Sequence, residues 1–88
     1  MPSVHVSLPA ALTSPEPPVV LDCEAVTVAE ALRAAVAQAP RFAQRMFYGE
    51  RLLVTVALNG RHLPPAAALA TTLATGDQVD LMPPVAGG

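Results

Sequence analysis

The stretch Thr75-Gly76-Asp77-Gln78-Val79-Asp80-Leu81-Met82-Pro83-Pro84-Val85-Ala86-Gly87-Gly88 decides how the rest of the chain is read. Thr75-Gly76-Asp77 is a turn signal. Gln78 to Met82 alternates, with Val79 and Leu81 on one face and Met82 on the other, as a half-buried strand does. The prolines that follow fix φ and push the residue before each toward extended geometry. Gly87 and Gly88 have no side chain to bury and lose the most backbone entropy on ordering, so packing does not explain them. They offer a carboxylate on a thin stem, able to pass a channel too narrow for other residues. Extended at ~3.3–3.6 Å per residue, the segment after Met82 reaches roughly 20 Å from the body. The expected division is a folded domain over 1–83 and an extended tail over 84–88.

Upstream of this stretch, Leu52 to Leu58 reads as the strongest strand, apolar and β-branched at Val54, Thr55 and Val56. Asn59-Gly60 is a tight hairpin signal, and Arg61-His62-Leu63 a short return strand before Pro64-Pro65. Ala66 to Leu73 contains a brief helical turn. Further back, Thr27-Val28-Ala29-Glu30 matches a capping box. A helix is predicted from there to about Gln38, with Val28, Leu32, Ala35, Val36 and Ala39 on its apolar face. Pro40 ends it, and Arg41 to Gly49 is a short helical turn through Phe42 and Met46, then a loop. At the N-terminal end, Val4, Val6 and Leu8 alternate with Ser3, His5 and Ser7 in a first strand. Val19 to Glu24 is a second strand, with Val19, Leu21 and Cys23 facing one way. The proline-rich segment from Pro9 to Pro18 joins them as a loop, and an antiparallel hairpin is the simplest pairing.

One helix cannot cover both faces of such a sheet. The expectation is an α+β fold, a mixed sheet of four to five strands curled around one main helix, with one face left partly open.

Composition narrows the function. Apolar residues make up 52% of the 88 and charged residues 14%, with a formal charge of −2, which excludes a disordered charged tail. The basic residues are five arginines, with no lysine and no basic run, so no nucleic-acid footprint is present. The chain cannot accept an isopeptide bond on a lysine. No apolar run approaches the ~18–20 residues that span a bilayer, and no signal-peptide layout opens the sequence. Cys23 stands alone, which fits a reducing cytosol, so a cytoplasmic location is expected. It lacks a local base and reads as a small core residue. His5 and His62 are isolated, and no metal site is expected. No Gly-rich phosphate loop, nucleophile motif or carboxylate pair suggests an enzyme acting alone.

The element order, Leu58-Asn59-Gly60, Thr75-Gly76-Asp77-Gln78-Val79 and the terminal Met82-Pro83-Pro84-Val85-Ala86-Gly87-Gly88 resemble the MoaD/ThiS sulfur-carrier family. That resemblance implies a ubiquitin-like β-grasp fold. It also implies a cycle in which a ubiquitin-activating-type enzyme adenylates the Gly88 carboxylate with ATP. A sulfur donor then converts it to a thiocarboxylate, which a biosynthetic enzyme uses. No cofactor is expected on this chain, since ATP is used in trans. Pro84, Val85, Ala86, Gly87 and Gly88 are the expected channel-binding tail. Met82, with Leu53 and Thr55, is the expected docking patch, because apolar side chains near a tail mark an interface and methionine adapts to several partners. The ending leans toward the small subunit of molybdopterin synthase, with that enzyme's large subunit as partner. Carriers for cysteine, thiamine or sulfur-containing secondary metabolites share the pattern. A ubiquitin-like protein modifier would use the same end, and a non-covalent interaction module would not need it.

Overall fold

Strand β1 (Ser3–Leu8) forms because its alternation separates cleanly: Val4, Val6 and Leu8 are buried while Ser3 and His5 face water. In the computed structural model, which describes residues 1–49 and 51–83, β1 pairs antiparallel with β2 (Val19–Glu24) from Ser3↔Glu24 to Leu8↔Val19. The intervening segment is not the loop that its prolines predict. It holds a helical turn, α1 (Ala10–Thr13). Thr13 is fully buried, its hydroxyl donating to the carbonyls of Pro9 (3.3 Å) and Glu16 (3.0 Å). Arg45 donates to the Leu12 and Ser14 carbonyls at 2.8 Å each, and Arg41 Nε donates to both Glu16 carboxylate oxygens at 2.8 and 2.7 Å. Those ties come from residues far along the chain, so no local pattern announces them.

The main helix, α2 (Val28–Gln38), starts where the capping box predicts. Thr27 accepts from the Glu30 amide at 3.3 Å, but the Glu30 carboxylate reaches past Thr27 to accept from the Val26 amide at 3.0 Å. Two donors at the helix end are satisfied either way. Val28, Ala31, Leu32 and Ala35 are buried, and Val36 is packed at the margin of the core. A 3-10 turn (Pro40–Phe42) and α3 (Ala43–Met46) follow, bringing Phe42 and Met46 into the core. Arg41 lies 4.5 Å from the centroid of the Phe42 ring.

The apolar run 52–58 is not one strand. Phe47–Tyr48 forms a strand, β3, where a loop was expected, and pairs with β4 (Arg51–Leu52) as a separate two-stranded unit. The Leu53 amide donates to the Met46 carbonyl at 2.8 Å. Only then does β5 (Thr55–Leu58) begin. Among the described residues, the ladder with the last strand ends at Met82, opposite Thr55, and the residues just upstream of Thr55 pair with Phe47–Tyr48 and Met46 instead.

Asn59 and Gly60, at φ +50° and +83°, make the tight turn into β6 (Arg61–His62), positive φ at both centres being the twist-matched hairpin geometry. A short helix, α4 (Pro65–Ala68), leads to β7 (Gln78–Met82). The sheet order is β2-β1-β7-β5-β6, with β7 parallel to β1 and antiparallel to β5. The result is the expected α+β layout, a five-stranded mixed sheet over one main helix. The last long strand sits at its centre.

Candidate functional site

The candidate site is the end of β7 and the sheet face beside it. Val79 and Leu81 are buried at 0% and 1% exposure, packed in the core under α2. Met82 is half-buried on the opposite face, and its Cα partner across the ladder is Thr55, also half-buried. The register therefore brings Met82 and Thr55 together at the point where the chain leaves the sheet. Leu53 is half-buried but lies upstream of β5, in the break after β4, rather than in the ladder with Met82. Pro83 is exposed. The tail residues Pro84, Val85, Ala86, Gly87 and Gly88 lie outside the described residues.

Two turns hold the far end of β7. The Asn59 amide donates to the Gln78 carbonyl, and Asn59 Oδ1 accepts from the Gln78 amide, both at 2.8 Å. Asn59 Nδ2 donates to Asp77 Oδ1 at 3.0 Å, and Asp77 Oδ2 accepts from the Ala74 amide at 2.8 Å. The Ala74 N–H, and after it the Asn59 side-chain amide, hold the Asp77 carboxyl below its usual range. This network pins the register, and a one-residue slip would turn Val79 and Leu81 outward.

The remaining candidates lie away from the end of β7. Cys23 is buried, and burial followed by the neighbouring Asp22 charge pushes its thiol pKa up, the reverse of what a nucleophile needs. His5 Nδ1 lies 2.6 Å from Asp22 Oδ1, a partner that sequence spacing hid because it sits across the β1–β2 ladder. Among the described residues no group of three His, Cys, Asp or Glu side chains could hold a metal ion.

Three further features lie near the open face or its edge. Val20 is 58% exposed, opposite Ser7. Ala57 is only 4% exposed although it faces away from the helix, between Asp80 and His62. A groove of about 430 Å³ runs beside Thr55, bounded by Val54, His62, Leu63 and Pro64. A larger hollow of about 540 Å³ lies on the helix side, between Ala29, Arg33, Val36 and Phe47, away from the face that carries Met82.

Comparison with known proteins agrees with this geometry. The sequence model of the ThiS family matches residues 11–88. None of the curated proteins matches. Among solved structures, SAMP1 from Haloferax volcanii is 30% identical, with 98% of this chain and 99% of that chain covered and a TM-score of 0.71. A chain in the protein–protein complex of subunits 1 and 2 of the molybdopterin-converting factor from Helicobacter pylori 26695 is 27% identical, over 98% and 99% of the two chains, at a TM-score of 0.61. A chain in the Amycolatopsis orientalis BexX/CysO complex superposes at 0.73, over 97% and 99%, and its 24% identity speaks to the fold alone. These likenesses make the fold a ubiquitin-like β-grasp.

Proposed function

This chain belongs to the ThiS family of ubiquitin-like sulfur carriers, and from that premise we propose that its working group is the carboxylate of Gly88. The observation that carries the reading is the placement of β7: the sheet's central strand, fixed on both sides, ends at Met82 and leads into Pro83 and the diglycine segment. A carboxylate is a poor electrophile. In the proposed cycle it attacks the α-phosphorus of ATP on a separate adenylating enzyme, and pyrophosphate leaves. A sulfide-equivalent donor then attacks the acyl carbon of the adenylate, AMP leaves, and a thiocarboxylate remains. Activation in trans is consistent with a chain that has no lysine and no phosphate loop to hold a nucleotide.

For the recipient we favour molybdopterin synthesis, with this chain as the small, non-catalytic partner of a larger synthase subunit. The likeness to a chain of the Helicobacter pylori molybdopterin-converting factor complex, over nearly the full length of both, supports it. A second reading, conjugation of the same carboxylate to other proteins, is favoured by the 30% identity to SAMP1, a small archaeal modifier protein.

Intact-mass spectrometry after incubation with the adenylating enzyme, ATP and a sulfide donor tests the proposal. The expected gain is about 16 Da, one oxygen exchanged for sulfur at an activated carboxyl, located at Gly88. The chain lacking Gly87-Gly88 should show none and keep its thermal midpoint. A gain located at Cys23, or no gain, would overturn the carrier reading. Covalent adducts on other proteins in a lysate would favour the modifier reading.

A further inference from the structure

The five-stranded sheet has two edges of different length. β6 is two residues long, whereas β2 runs for six, Val19–Glu24, and β1 covers only one side of it. The Ala25 amide donates to the Pro2 carbonyl at 3.0 Å, which sets the phase of the β1–β2 ladder. Antiparallel pairs alternate between bonded and unbonded, so the N–H and C=O groups of Val20, Asp22 and Glu24 point away from β1. An edge of this length is a template for a further strand. Its composition adds to the hazard: Val19-Val20-Leu21 is apolar and rich in β-branched residues, and Val20 is 58% exposed.

The strand best matched to this edge is the β2 of a second copy. Antiparallel pairing about Leu21 sets Leu21 against the other copy's Leu21, and Val19 against its Cys23, on the side where Val19, Leu21 and Cys23 already meet the core. The same pairing sets Val20 against Asp22, so the two Asp22 carboxylates are offset. Centring on Asp22 instead would oppose them directly, which is unfavourable. In the register about Leu21, each Val20–Asp22 pair exchanges two main-chain hydrogen bonds, one of them onto the Asp22 carbonyl. The two-fold axis then repeats that pair.

The Asp22 carbonyl is already engaged. Gln38, the last residue of α2, donates to it from Nε2 at 2.7 Å, and the same nitrogen lies 3.6 Å from Cys23 Sγ. The side-chain amide therefore takes the place of an incoming strand's N–H, and it roofs the Cys23 thiol across the seam between α2 and β2. Gln38 is exposed and outside the core cluster, so packing does not account for its position.

We propose that Gln38 is a latch that keeps the β2 edge from pairing with the β2 edge of a second copy. It uses only groups on the outer side of the strand, so the ladder with β1 is untouched. The inference goes beyond the carrier reading and does not depend on it, because β1 separates this edge from β7.

Sedimentation equilibrium over a concentration series is the test, with circular dichroism to show that each variant is folded. Gln38→Ala should self-associate at least about tenfold more tightly than the parent chain, since it frees an acceptor on each copy for a main-chain bond. Gln38→Met, which keeps the length of the side chain but not its donor, should behave like Gln38→Ala. Adding Val20→Glu to Gln38→Ala should restore the monomer, because it opposes a second carboxylate to Asp22 of the other copy. In that monomeric double variant Cys23 reports the latch directly. Its thiolate attacks an aromatic disulfide reagent, an aryl thiolate leaves and a mixed disulfide forms, and this reaction should run several-fold faster than in Val20→Glu alone. A Gln38→Ala chain no more associated than the parent would overturn the inference. So would dimers that Val20→Glu does not dissolve, or a thiol rate that the loss of Gln38 leaves unchanged.

Discussion

The two faces of the five-stranded sheet are made by the same strands, yet they differ in every respect that matters. On the helix side Val4, Val6, Val56, Val79 and Leu81 are 0–1% exposed and belong to one core. On the open side the same strands present Ser7, Asp22, Asp80, Thr55 and Met82. Adjacent residues such as Leu81 and Met82 therefore have different jobs. Burial of the first kind holds the domain together, at about 25 cal/mol per Å² of apolar surface. The second kind contributes little to stability and is available for contact with another protein.

The largest test of this contrast is Val79→Asp. An unpaired carboxylate at a position with no exposure costs on the order of 4 kcal/mol or more. At ~0.05–0.15 kcal/mol per residue, that is comparable with the whole stability of a domain this size. The variant should be unfolded by circular dichroism at room temperature. If it folds, the inner face is not a tightly packed core.

Met82→Asp sharpens the other side. Folding stability should change by no more than about 0.5 kcal/mol, as for most surface changes. Binding to the adenylating enzyme should weaken about tenfold, or roughly 1–2 kcal/mol, if Met82 sits at the centre of the contact. Titration calorimetry and a denaturant melt, run on the same sample, separate the two effects. Unfolding by Met82→Asp with Val79→Asp intact would invert the assignment of faces.

The smallest effect belongs to the turn at the start of β7, which serves both faces by holding the register. The Asp77 carboxyl is held below its usual 3.8 by the Ala74 amide and Asn59. A depressed folded-state pKa contributes stability that is complete above the unfolded value and lost as pH falls through the folded one. The thermal midpoint of the parent chain should therefore exceed that of Asp77→Asn at neutral pH. The gap should close as pH drops below about 3.8. A gap that is the same at acidic pH would show that the charge is not what matters there.

Most of the sheet was legible because alternation is a local property. Val4/Val6/Leu8 and Val79/Leu81 each identify their inner face from their own neighbours. Asn59-Gly60 carries its turn type in its chemistry, and Thr27 with Glu30 marks the helix start. What escaped the sequence was decided by partners. The run 52–58 breaks because Leu52 pairs with Phe47 and the Leu53 amide with the Met46 carbonyl, and the segment 9–18 is tied down by Arg41 and Arg45. The site divides in the same way. Met82 and Thr55 could be placed by parity, whereas Leu53 needed the break before β5 to be known. The charge of the open face required the register between β1, β2 and β7, which no single strand reveals.

The parallel contact between β1 and β7 sets an order of events in time. Of the described strands β1 is the first to be synthesised and β7 the last, yet they lie side by side within the sheet. Until β7 arrives, the β1–β2 hairpin and the β5–β6 hairpin have no strand to join them. Contacts between such distant parts of a chain form slowly, because the intervening loop must be closed before they return any stabilisation. The sheet therefore closes on the strand that also carries the tail. A chain released before Gln78 keeps two unpaired inner edges and lacks the segment on which the proposed activation depends, so an incomplete copy reaches its partners without the group to be activated.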